Sequence, residues 1–399
     1  MNTPNNVPRR RLLAALLGFG LGSALFSGAA LADGTIKIGM LLPMSGPFAS
    51  YGKQIENGVR LYMAKNGNKV AGKTIELIIK DDTGVAPDLS KRLAQEMLIK
   101  DNIDVLAGFG LTPSGMAVAP LSQEAKKPMV VMNAAASVLT TKSPYLVRVS
   151  HTQNQLAAAM AMYAARNGIK KVYTLVADFS PGHDAEKQFK KTFTASAGEV
   201  VGEVRTPMSN PDFSPFLQKI KDTNPDAVYI FLPPGEQTIN FVKGFNERGL
   251  KKAGIKLIGT ADLTDDDMID TMGDAVIGTI TSGHYSTTHK SKENEAFTSG
   301  YAKAYPNLRP SFMAMAGYDG MSLIYQVAQK TNGDMDAEKF AQAAKGLTWQ
   351  SPRGKISIDP ESRDIVQTMY IRRVEKVGGK LVNVEIDDTI RDMKDPGKL

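Results

Sequence analysis

Four short segments of the chain combine small, hydroxyl-bearing and proline residues in the way that small-molecule binding loops do. They are residues 43–51 (PMSGPFASY), 108–115 (GFGLTPSG), 133–137 (NAAAS) and 232–235 (LPPG). Small residues let the backbone approach a ligand, and a helix N-terminus offers unpaired N–H groups suited to a carboxylate. Thr112 and Ser114 add hydroxyl donors. Each segment alone also fits an ordinary turn, but together they indicate a binding cleft.

Residue patterns for catalysis, cofactors or metals are missing from the sequence. Gly108, Gly110 and Gly115 lack the spacing of a dinucleotide-binding fingerprint, and there is no P-loop or G-x-S-x-G motif. With no cysteine and only four dispersed histidines, a metal site is not predicted. The acidic run 265–267 is interpreted as the start of a helix capped by Thr264. We therefore expect neither an enzyme nor a bound cofactor or metal.

Short apolar runs alternate with amphipathic segments, which is the pattern of parallel sheets covered by helices. Residues 35–43 (TIKIGMLLP) predict a buried strand and residues 51–66 a helix, and this alternation continues to residue 132. It begins again beyond residues 148–151 and continues to residue 259. Two such runs predict an α/β fold of two Rossmann-like lobes with parallel sheets, joined by a three-strand hinge.

The predicted lobe boundaries follow from where the chain crosses between the two runs. Residues 33–149 and 284–358 are assigned to the first lobe, and residues 150–283 and 359–399 to the second. The C-terminal portion is too small to fold alone, so we expect it to complete the first lobe and then cross back. Because ligands of open α/β sheets bind at the carboxyl ends of the strands, the four loops are expected to face a cleft between the lobes.

The first 32 residues have the pattern of an export signal. Arg9, Arg10 and Arg11 precede an apolar stretch at 12–26, and residues 30–32 (ALA) match a cleavage site. We expect cleavage after Ala32 and a periplasmic location, reached by Sec or twin-arginine export. Without cysteine the mature N-terminus cannot carry a lipid. These arginines account for three units of the formal net charge of +7, and no dense basic patch remains to predict nucleic-acid binding.

Several stretches resemble the leucine/isoleucine/valine-type periplasmic binding proteins. They are residues 36–67 (IKIGMLLPMSGPFASYGKQIENGVRLYMAKNG), 72–108 (GKTIELIIKDDTGVAPDLSKRLAQEMLIKDNIDVLAG), 212–234 (DFSPFLQKIKDTNPDAVYIFLPP) and 318–324 (YDGMSLI). The resemblance implies a type I periplasmic binding protein fold that delivers a small solute to an ABC importer. It also implies two partners, the solute and the importer's membrane permease subunits, and a monomeric state.

The resemblance also implies where the solute binds. The carboxylate would meet backbone N–H groups and hydroxyls of the 112–115 and 133–137 loops on the first lobe, and the second lobe would close over it. Combining this with the loop chemistry, the candidate ligand-binding residues are Tyr51, Phe109, Thr112, Ser114, Gly115, Asn133, Ala135, Ser137, Phe179, Pro181, Leu232, Pro233, Asp262 and Tyr318.

The sequence departs from amino-acid binders at pocket positions. Residues 180–182 (SPG) replace a common Tyr-Gly, residues 232–234 (LPP) replace tyrosines, and the ammonium-binding acid aligns with Ala261, with Asp262 next to it. An ammonium without an acid would be a costly unpaired charge, so a non-amino carboxylate between aromatic walls would then fit better. The solute stays open between a branched-chain-type amino acid, an aromatic or other organic acid, and an amide or urea-like molecule. A periplasmic sensor component is the alternative role.

Overall fold

A computed structural model describes residues 34–208 and 211–399. The predicted export signal at residues 1–32 lies outside the described residues. The described chain forms two α/β lobes, each built on one sheet with helices packed against it. The predicted fold class is confirmed.

The elements alternate as the apolar periodicity predicts. The strands are β1 (Thr35–Leu42), β2 (Lys69–Val70), β3 (Lys73–Asp81), β4 (Val105–Gly108), β5 (Met129–Val131), β6 (Leu146–Arg148), β7 (Lys171–Ala177), β8 (Glu199–Thr206), β9 (Ala227–Phe231), β10 (Lys256–Thr260), β11 (Ile280–Gly283), β12 (Thr348–Ser351), β13 (Gly354–Ile358), β14 (Ile365–Val377) and β15 (Lys380–Met393). The α-helices are α1 (Ala49–Asn66), α2 (Pro87–Ile99), α3 (Thr112–Glu124), α4 (Gln153–Arg166), α5 (Ser180–Ala195), α6 (Ser214–Thr223), α7 (Glu236–Glu247), α8 (Ile269–Met272), α9 (Lys292–Ala304), α10 (Phe312–Lys330) and α11 (Ala337–Ala344).

The first lobe is built on a six-stranded sheet in the order β2-β3-β1-β4-β5-β6. All its neighbouring pairs are parallel except β2 with β3. The central strand β1 is buried on both faces because helices cover both, which explains its continuous apolar run.

The second lobe is built on a nine-stranded sheet in the order β12-β13-β14-β11-β10-β9-β7-β8, with β15 paired to β14. The β8-β7-β9-β10-β11 part is parallel, and the C-terminal strands join it antiparallel. Strands β12 and β13 extend this sheet towards the first lobe, so residues 348–358 hydrogen-bond to the sheet of the second lobe.

The C-terminal helices return to the first lobe, where α10 packs closely on α1. A Cβ added at Gly58 would lie 1.8 Å from the Ala314 carbonyl oxygen, and one at Gly317 would lie 2.2 Å from the Ile55 carbonyl oxygen. Only glycine at both positions allows the two helix backbones to approach this closely. The contact holds α1, whose N-terminal turns reach the cleft, firmly against the lobe.

Buried arginines anchor the hinge, where the chain crosses between the lobes around residues 149–152, 284–291 and 345–347. Arg353 donates from Nε to Asp319 Oδ2 at 2.8 Å, and its other nitrogens donate to the carbonyl oxygens of Val149 and Ser150 at 2.5 and 3.0 Å. Arg353 and Asp319 are both buried, and each neutralises the charge of the other, which would be strongly destabilising if it were unpaired.

One local prediction was wrong. Thr264 does not cap a helix, because residues 261–264 form a 3₁₀ turn and α8 begins only after Met268. The Thr264 hydroxyl instead donates to Asn383 Oδ1 at 2.8 Å. The side chains of Asp265 and Asp266 are buried instead of lying exposed at the start of a helix, so packing in the folded lobe overrides the local capping pattern.

Candidate functional site

A pocket lies between the two lobes at the carboxyl ends of both sheets. The first lobe contributes the turns after β4 and β5 together with Tyr51 of α1, and the second lobe contributes the turns after β7, β9 and β10. It is lined by Tyr51, Gly110, Leu111, Thr112, Asn133, Ala134, Ala135, His151, Gln153, Phe179, Pro181, Phe231, Pro233, Pro234 and Asp262. About 310 Å³ within it is free of protein atoms. That volume includes space open to solvent, and only about 30 Å³ of it can hold the centre of a water-sized molecule, so the pocket is narrow in this closed state.

Eight of the predicted residues line this pocket together: Tyr51, Thr112, Asn133, Ala135, Phe179, Pro181, Pro233 and Asp262. They come from both lobes, as expected for a cleft that closes on its solute. Asp262 lines the pocket, whereas its neighbour Ala261 does not, so an acid is present on the second lobe.

The other six predicted residues are not brought into the pocket. Phe109 and Leu232 belong to the hydrophobic cores of the lobes, and Gly115 faces Leu139. Tyr318 packs its ring edge-on against two other aromatic rings of the first lobe, at centroid distances of 5.0 and 5.2 Å.

The hydroxyls of Ser114 and Ser137 bond elsewhere. Ser114 Oγ donates to the Gly84 carbonyl at 3.0 Å and accepts from Ser90 Oγ at 2.9 Å. Ser137 Oγ donates to Asp395 Oδ2 at 2.5 Å. Ser114 lies two residues after Thr112 in α3, about 200° further around the helix axis, so its hydroxyl faces the inner side of the helix while Thr112 remains at the rim of the pocket.

The wall on the first lobe is shaped by a left-handed turn after β4. Gly108 and Phe109 have φ values of +99° and +65°, a conformation that glycine adopts without strain and that is uncommon for phenylalanine. The turn places Gly110 against Asn133, whose Nδ2 donates to the Gly110 carbonyl at 2.7 Å. Asn133 Oδ1 is buried without a partner, and the Thr112 hydroxyl oxygen accepts from the Ala136 N–H at 3.3 Å. The Thr112 hydroxyl proton is therefore available to a solute.

Arg148 supports this wall from behind. Its Nη1 donates to the carbonyl oxygens of Ala134 and Ala136 at 3.0 and 2.8 Å, and its Nε donates to Asp364 Oδ1 at 2.8 Å. The side chains of Arg148 and Asp364 are both buried, so the guanidinium that holds the 133–137 loop cannot exchange its hydrogen bonds for bonds to water.

Aromatic rings and prolines form the opposite wall. Phe179 and Phe231 stack with ring centroids 5.8 Å apart and an interplanar angle of 18°. Pro233 and Pro234 continue this surface and have no N–H group to offer. The second lobe therefore presents a flat apolar face that suits a planar solute.

The floor of the pocket is polar and only partly satisfied. Asp262 Oδ2 accepts from Gln153 Nε2 at 3.2 Å and from the Thr260 hydroxyl at 2.7 Å. Burial raises the pKa of the Asp262 carboxyl above its ordinary value. Gln153 Oε1 and both ring nitrogens of His151 are buried without partners. Such atoms are costly unless something else bonds to them, and in this position a solute can.

His151 is held as a neutral ring. It stacks on His284 with centroids 4.7 Å apart, and both imidazoles are buried in the hinge. Burial, with the nearby charges of Arg148 and Arg353, lowers the pKa of His151 to about 3. A neutral imidazole can donate one hydrogen bond and accept another, which matches a hydroxyl group.

Sequence reasoning missed His151 and Gln153. Both lie on or just after the first hinge crossing, where neither a loop motif nor a strand end marks a site. The only available signal was their position at the predicted lobe boundary, next to residues 148–151. Phe231 also lines the pocket, although it is not among the predicted site residues.

The lobes are closed on one another in this structure. Tyr51 Oη donates to the Pro234 carbonyl at 3.0 Å, and Gln54 Nε2 donates to Asp267 Oδ1 at 2.8 Å. These hydrogen bonds connect α1 of the first lobe with turns of the second, beside the pocket. They exist only while the lobes are together.

A wider groove opens at the mouth of the cleft beside Pro233 and Pro234. Pro47, Phe48, Thr83 and Val85 line it from the first lobe, and Met208, Pro211, Phe213, Gln237 and Asn240 from the second. It holds about 1260 Å³ of space, much of it open to solvent. The smaller pocket is the better solute site because unpaired polar atoms of both lobes belong to the residues that line it.

Within residues 34–208 and 211–399 no group of three or more His, Cys, Asp or Glu side chains is arranged to hold a metal ion. In the same part of the chain, none of the helices has the length and apolar character needed to cross a membrane.

Comparison with known proteins gives a consistent answer. The family described as periplasmic binding protein matches residues 35–380. The Leu/Ile/Val-binding protein homolog 6 of Brucella melitensis is 44% identical over 387 residues, which cover 96% of this chain and 98% of that protein.

Two crystal structures of ABC-transporter solute-binding proteins from Rhodopseudomonas palustris are also similar. The protein from strain BisB5, in complex with 3,4-dihydroxybenzoic acid, is 51% identical with a TM-score of 0.88, covering 92% of this chain and 99% of its own. The protein from strain HaA2, in complex with p-hydroxybenzoic acid, is 46% identical with a TM-score of 0.89, covering 91% and 99%.

Proposed function

The chain belongs to the periplasmic binding protein family, as a solute-binding protein of an ABC transporter, and from that premise we propose that its solute is a hydroxylated aromatic carboxylate. The observation that carries this proposal is the unsatisfied polar floor beneath an apolar slot. Gln153 Oε1 and the His151 nitrogens lack partners, while Phe179 and Phe231 form a flat wall above them. A phenol ring with a carboxylate at the far end satisfies both features.

The carboxylate would lie on the first lobe. There the first turn of α3 has N–H groups without intrahelical acceptors, and the Thr112 hydroxyl can donate. No lysine or arginine is among the described residues that line the pocket, so the helix N-terminus would supply the favourable potential. The ring hydroxyl would then reach Gln153, His151 or Asp262 on the floor.

The two Rhodopseudomonas proteins support this choice. They are 51% and 46% identical to this chain and were crystallised with dihydroxy- and hydroxybenzoic acid. The solute would act by favouring the closed state, because it contacts both lobes and gains those contacts only after closure. The membrane permease subunits would then recognise the closed form.

An amino acid is the second candidate, because Asp262 lies in the pocket where an ammonium group would need an acid. The raised pKa of Asp262 disfavours the ionised form that an ammonium requires. Gln153 and Thr260 already bond to the same oxygen of this carboxyl.

Calorimetry with residues 33–399 separates the two solutes. We expect 4-hydroxybenzoate and 3,4-dihydroxybenzoate to bind, benzoate to bind more weakly, and leucine not to bind. At about 100 times its dissociation constant, a bound solute also adds roughly 2.7 kcal/mol to the free energy of unfolding, visible as a higher melting midpoint. Binding of leucine but of no benzoate would refute the proposal.

The Asp262→Asn variant provides the matched control. It keeps the shape and a hydrogen-bonding group, so 4-hydroxybenzoate affinity should fall by less than about tenfold, equivalent to 1.4 kcal/mol. An amino acid would lose its counter-charge and bind at least a hundredfold more weakly.

We also propose that the chain is cleaved after Ala32 and acts as a monomer. Mass spectrometry of the exported protein should give a chain beginning at Asp33, and light scattering should give a single-chain mass with and without solute. A longer mature chain or a stable dimer would contradict these statements.

A further inference from the structure

The last six residues of the chain, 394–399 (KDPGKL), follow β15 and lie across the hinge against the first lobe. Asp395 is buried, with 2% of its surface exposed. Its Oδ2 accepts from Ser137 Oγ at 2.5 Å, and its Oδ1 accepts from Asn154 Nδ2 at 3.2 Å. One carboxylate therefore joins the first lobe to the start of α4 in the second.

Lys398 makes a second attachment three residues later. Its Nζ donates to Asp364 Oδ2 at 2.5 Å and to the Thr140 hydroxyl. Asp364 also accepts from Arg148, so one buried carboxylate neutralises two cations. The segment thus shares a charge partner with the arginine that holds the pocket loop.

The segment is fitted closely to what it touches. A Cβ added at Gly397 would lie 1.9 Å from Asn154 Nδ2 and 3.1 Å from Ser137 Oγ. The Gly397 N–H donates to Asp395 Oδ1 at 2.9 Å, which folds the segment around that carboxylate. Such packing distinguishes it from a frayed chain end.

Ser137 connects the segment to the solute pocket. It ends the 133–137 loop, whose Asn133 and Ala135 line the pocket. Its N–H donates to Asp184 Oδ2 of α5 at 2.9 Å, a bond between the two lobes. Ser137 is therefore held by two acids, Asp184 through its backbone and Asp395 through its hydroxyl.

We propose that residues 395–399 form a C-terminal strap, in which Asp395 and Lys398 are positioning residues that fix the 133–137 loop in its solute-binding conformation and stabilise the closed lobes. Neither residue lines the pocket, so both act through Ser137 and Asp364. The strap holds the same loop whichever small solute occupies the pocket, so it does not depend on the solute proposed above.

Removing the strap should loosen the loop before it affects the fold. In Asp395→Ala, Ser137 Oγ and Asn154 Nδ2 lose their acceptor at the hinge, while both sheets keep their pairing. We expect the solute to dissociate about tenfold faster, because the lost bonds stabilise the solute-bound closed state. The association rate should stay within twofold of the wild-type rate.

The matched control is Lys394→Met. Lys394 bonds to Asp359 at 2.7 Å with half of its side chain exposed, and it touches neither Ser137 nor Asp364 in the described contacts. The two variants and a chain ending at Lys394 are compared by stopped-flow dissociation of 4-hydroxybenzoate. Hydrogen exchange of the 133–139 backbone without solute and the melting midpoint complete the comparison.

Faster solute dissociation and faster loop exchange in Asp395→Ala, with Lys394→Met unchanged, would support the strap. Unchanged exchange and dissociation in a folded Asp395→Ala variant, or equal effects in Lys394→Met, would overturn it. If the truncated chain fails to fold, the point variant decides. If wild type does not bind 4-hydroxybenzoate, that refutes the proposed solute, and loop exchange in the solute-free protein alone decides the strap.

Discussion

The hydrogen bond between Gln54 and Asp267 provides a direct test of how closure contributes to affinity. Asp267 Oδ1 accepts from Gln54 Nε2 at 2.8 Å, across the cleft and outside the solute pocket. In Asp267→Ala this bond is lost, but Gln54 Nε2 keeps the Arg309 carbonyl at 3.0 Å and is not left unsatisfied. The change therefore removes an interlobe bond without creating a buried orphan.

The expected magnitude follows from the kind of bond. Gln54 is buried but Asp267 is an exposed residue, so solvent weakens the hydrogen bond and its contribution is about 1 kcal/mol. Because the bond exists only in the closed state, its loss weakens solute binding by the same amount, roughly fivefold. The closed state forms after the solute docks, so the dissociation rate should carry most of the change.

Isothermal calorimetry on wild type, Asp267→Ala and Asp270→Ala measures the effect. Asp270 pairs with Arg309 at 2.6 Å across the same interface, but its side chain is 66% exposed. Solvent screens such a pair, so Asp270→Ala should weaken binding by less than about threefold. If Asp267→Ala binds within twofold of wild type, or if the two variants weaken binding equally, the interlobe bonds do not set the closed state as argued.

Three further predictions concern the rest of the molecule. Burial lowers the pKa of His151 to about 3 and that of His284 well below its ordinary value. Below about pH 6.5 these histidines are therefore protonated in the unfolded chain but stay neutral in the folded one, so the free energy of unfolding decreases as the pH decreases. His284→Phe should make the slope of unfolding free energy against pH shallower, by up to about 1.4 kcal/mol per unit, in urea melts between pH 4.5 and 6.5; an unchanged slope would contradict this. Ser114→Ala should lower the unfolding free energy by about 1–2 kcal/mol, because the Gly84 carbonyl loses its donor, yet leave solute affinity unchanged; weaker binding by calorimetry would return Ser114 to the site. Arg353→Met should lower the unfolding free energy by about 3–5 kcal/mol, since Asp319 is left buried and unpaired; a loss below about 1 kcal/mol in the same urea melts would show that Asp319 finds another partner.

The fold was predictable because its signals are local and repeated. The run 35–43 is mostly apolar because β1 is covered on both faces, and the helical spacing of residues 51–66 matches the buried face of α1. The return of the C-terminal helices to the first lobe followed from their inability to form a core alone. The pairing of β12 and β13 with β14 has no local signal, since antiparallel strands at a sheet edge need no distinctive sequence.

The sequence predicted which loops form the site, but not which of their side chains face it. The strand-end rule placed Thr112, Asn133 and Pro233 in the pocket because the backbone there is fixed by the sheets. Whether a hydroxyl faces the pocket depends on the exact position of its residue along the helix or turn, and the hydroxyls of Ser114 and Ser137 face other parts of the protein. His151 was missed because its role depends on two crossing segments that meet only in the folded protein.

The groove at the cleft mouth makes this protein suitable as an optical sensor. Its walls come from different lobes, so its apolar surface is assembled only when they close. The chain contains no cysteine, so a single thiol introduced at Val85, which is 50% exposed on the groove's rim, would be the only labelling site. On closure, an environment-sensitive dye at that thiol would move from water to an apolar environment beside Phe213 and Met208. Its emission would report solute concentration in real time without any label on the solute.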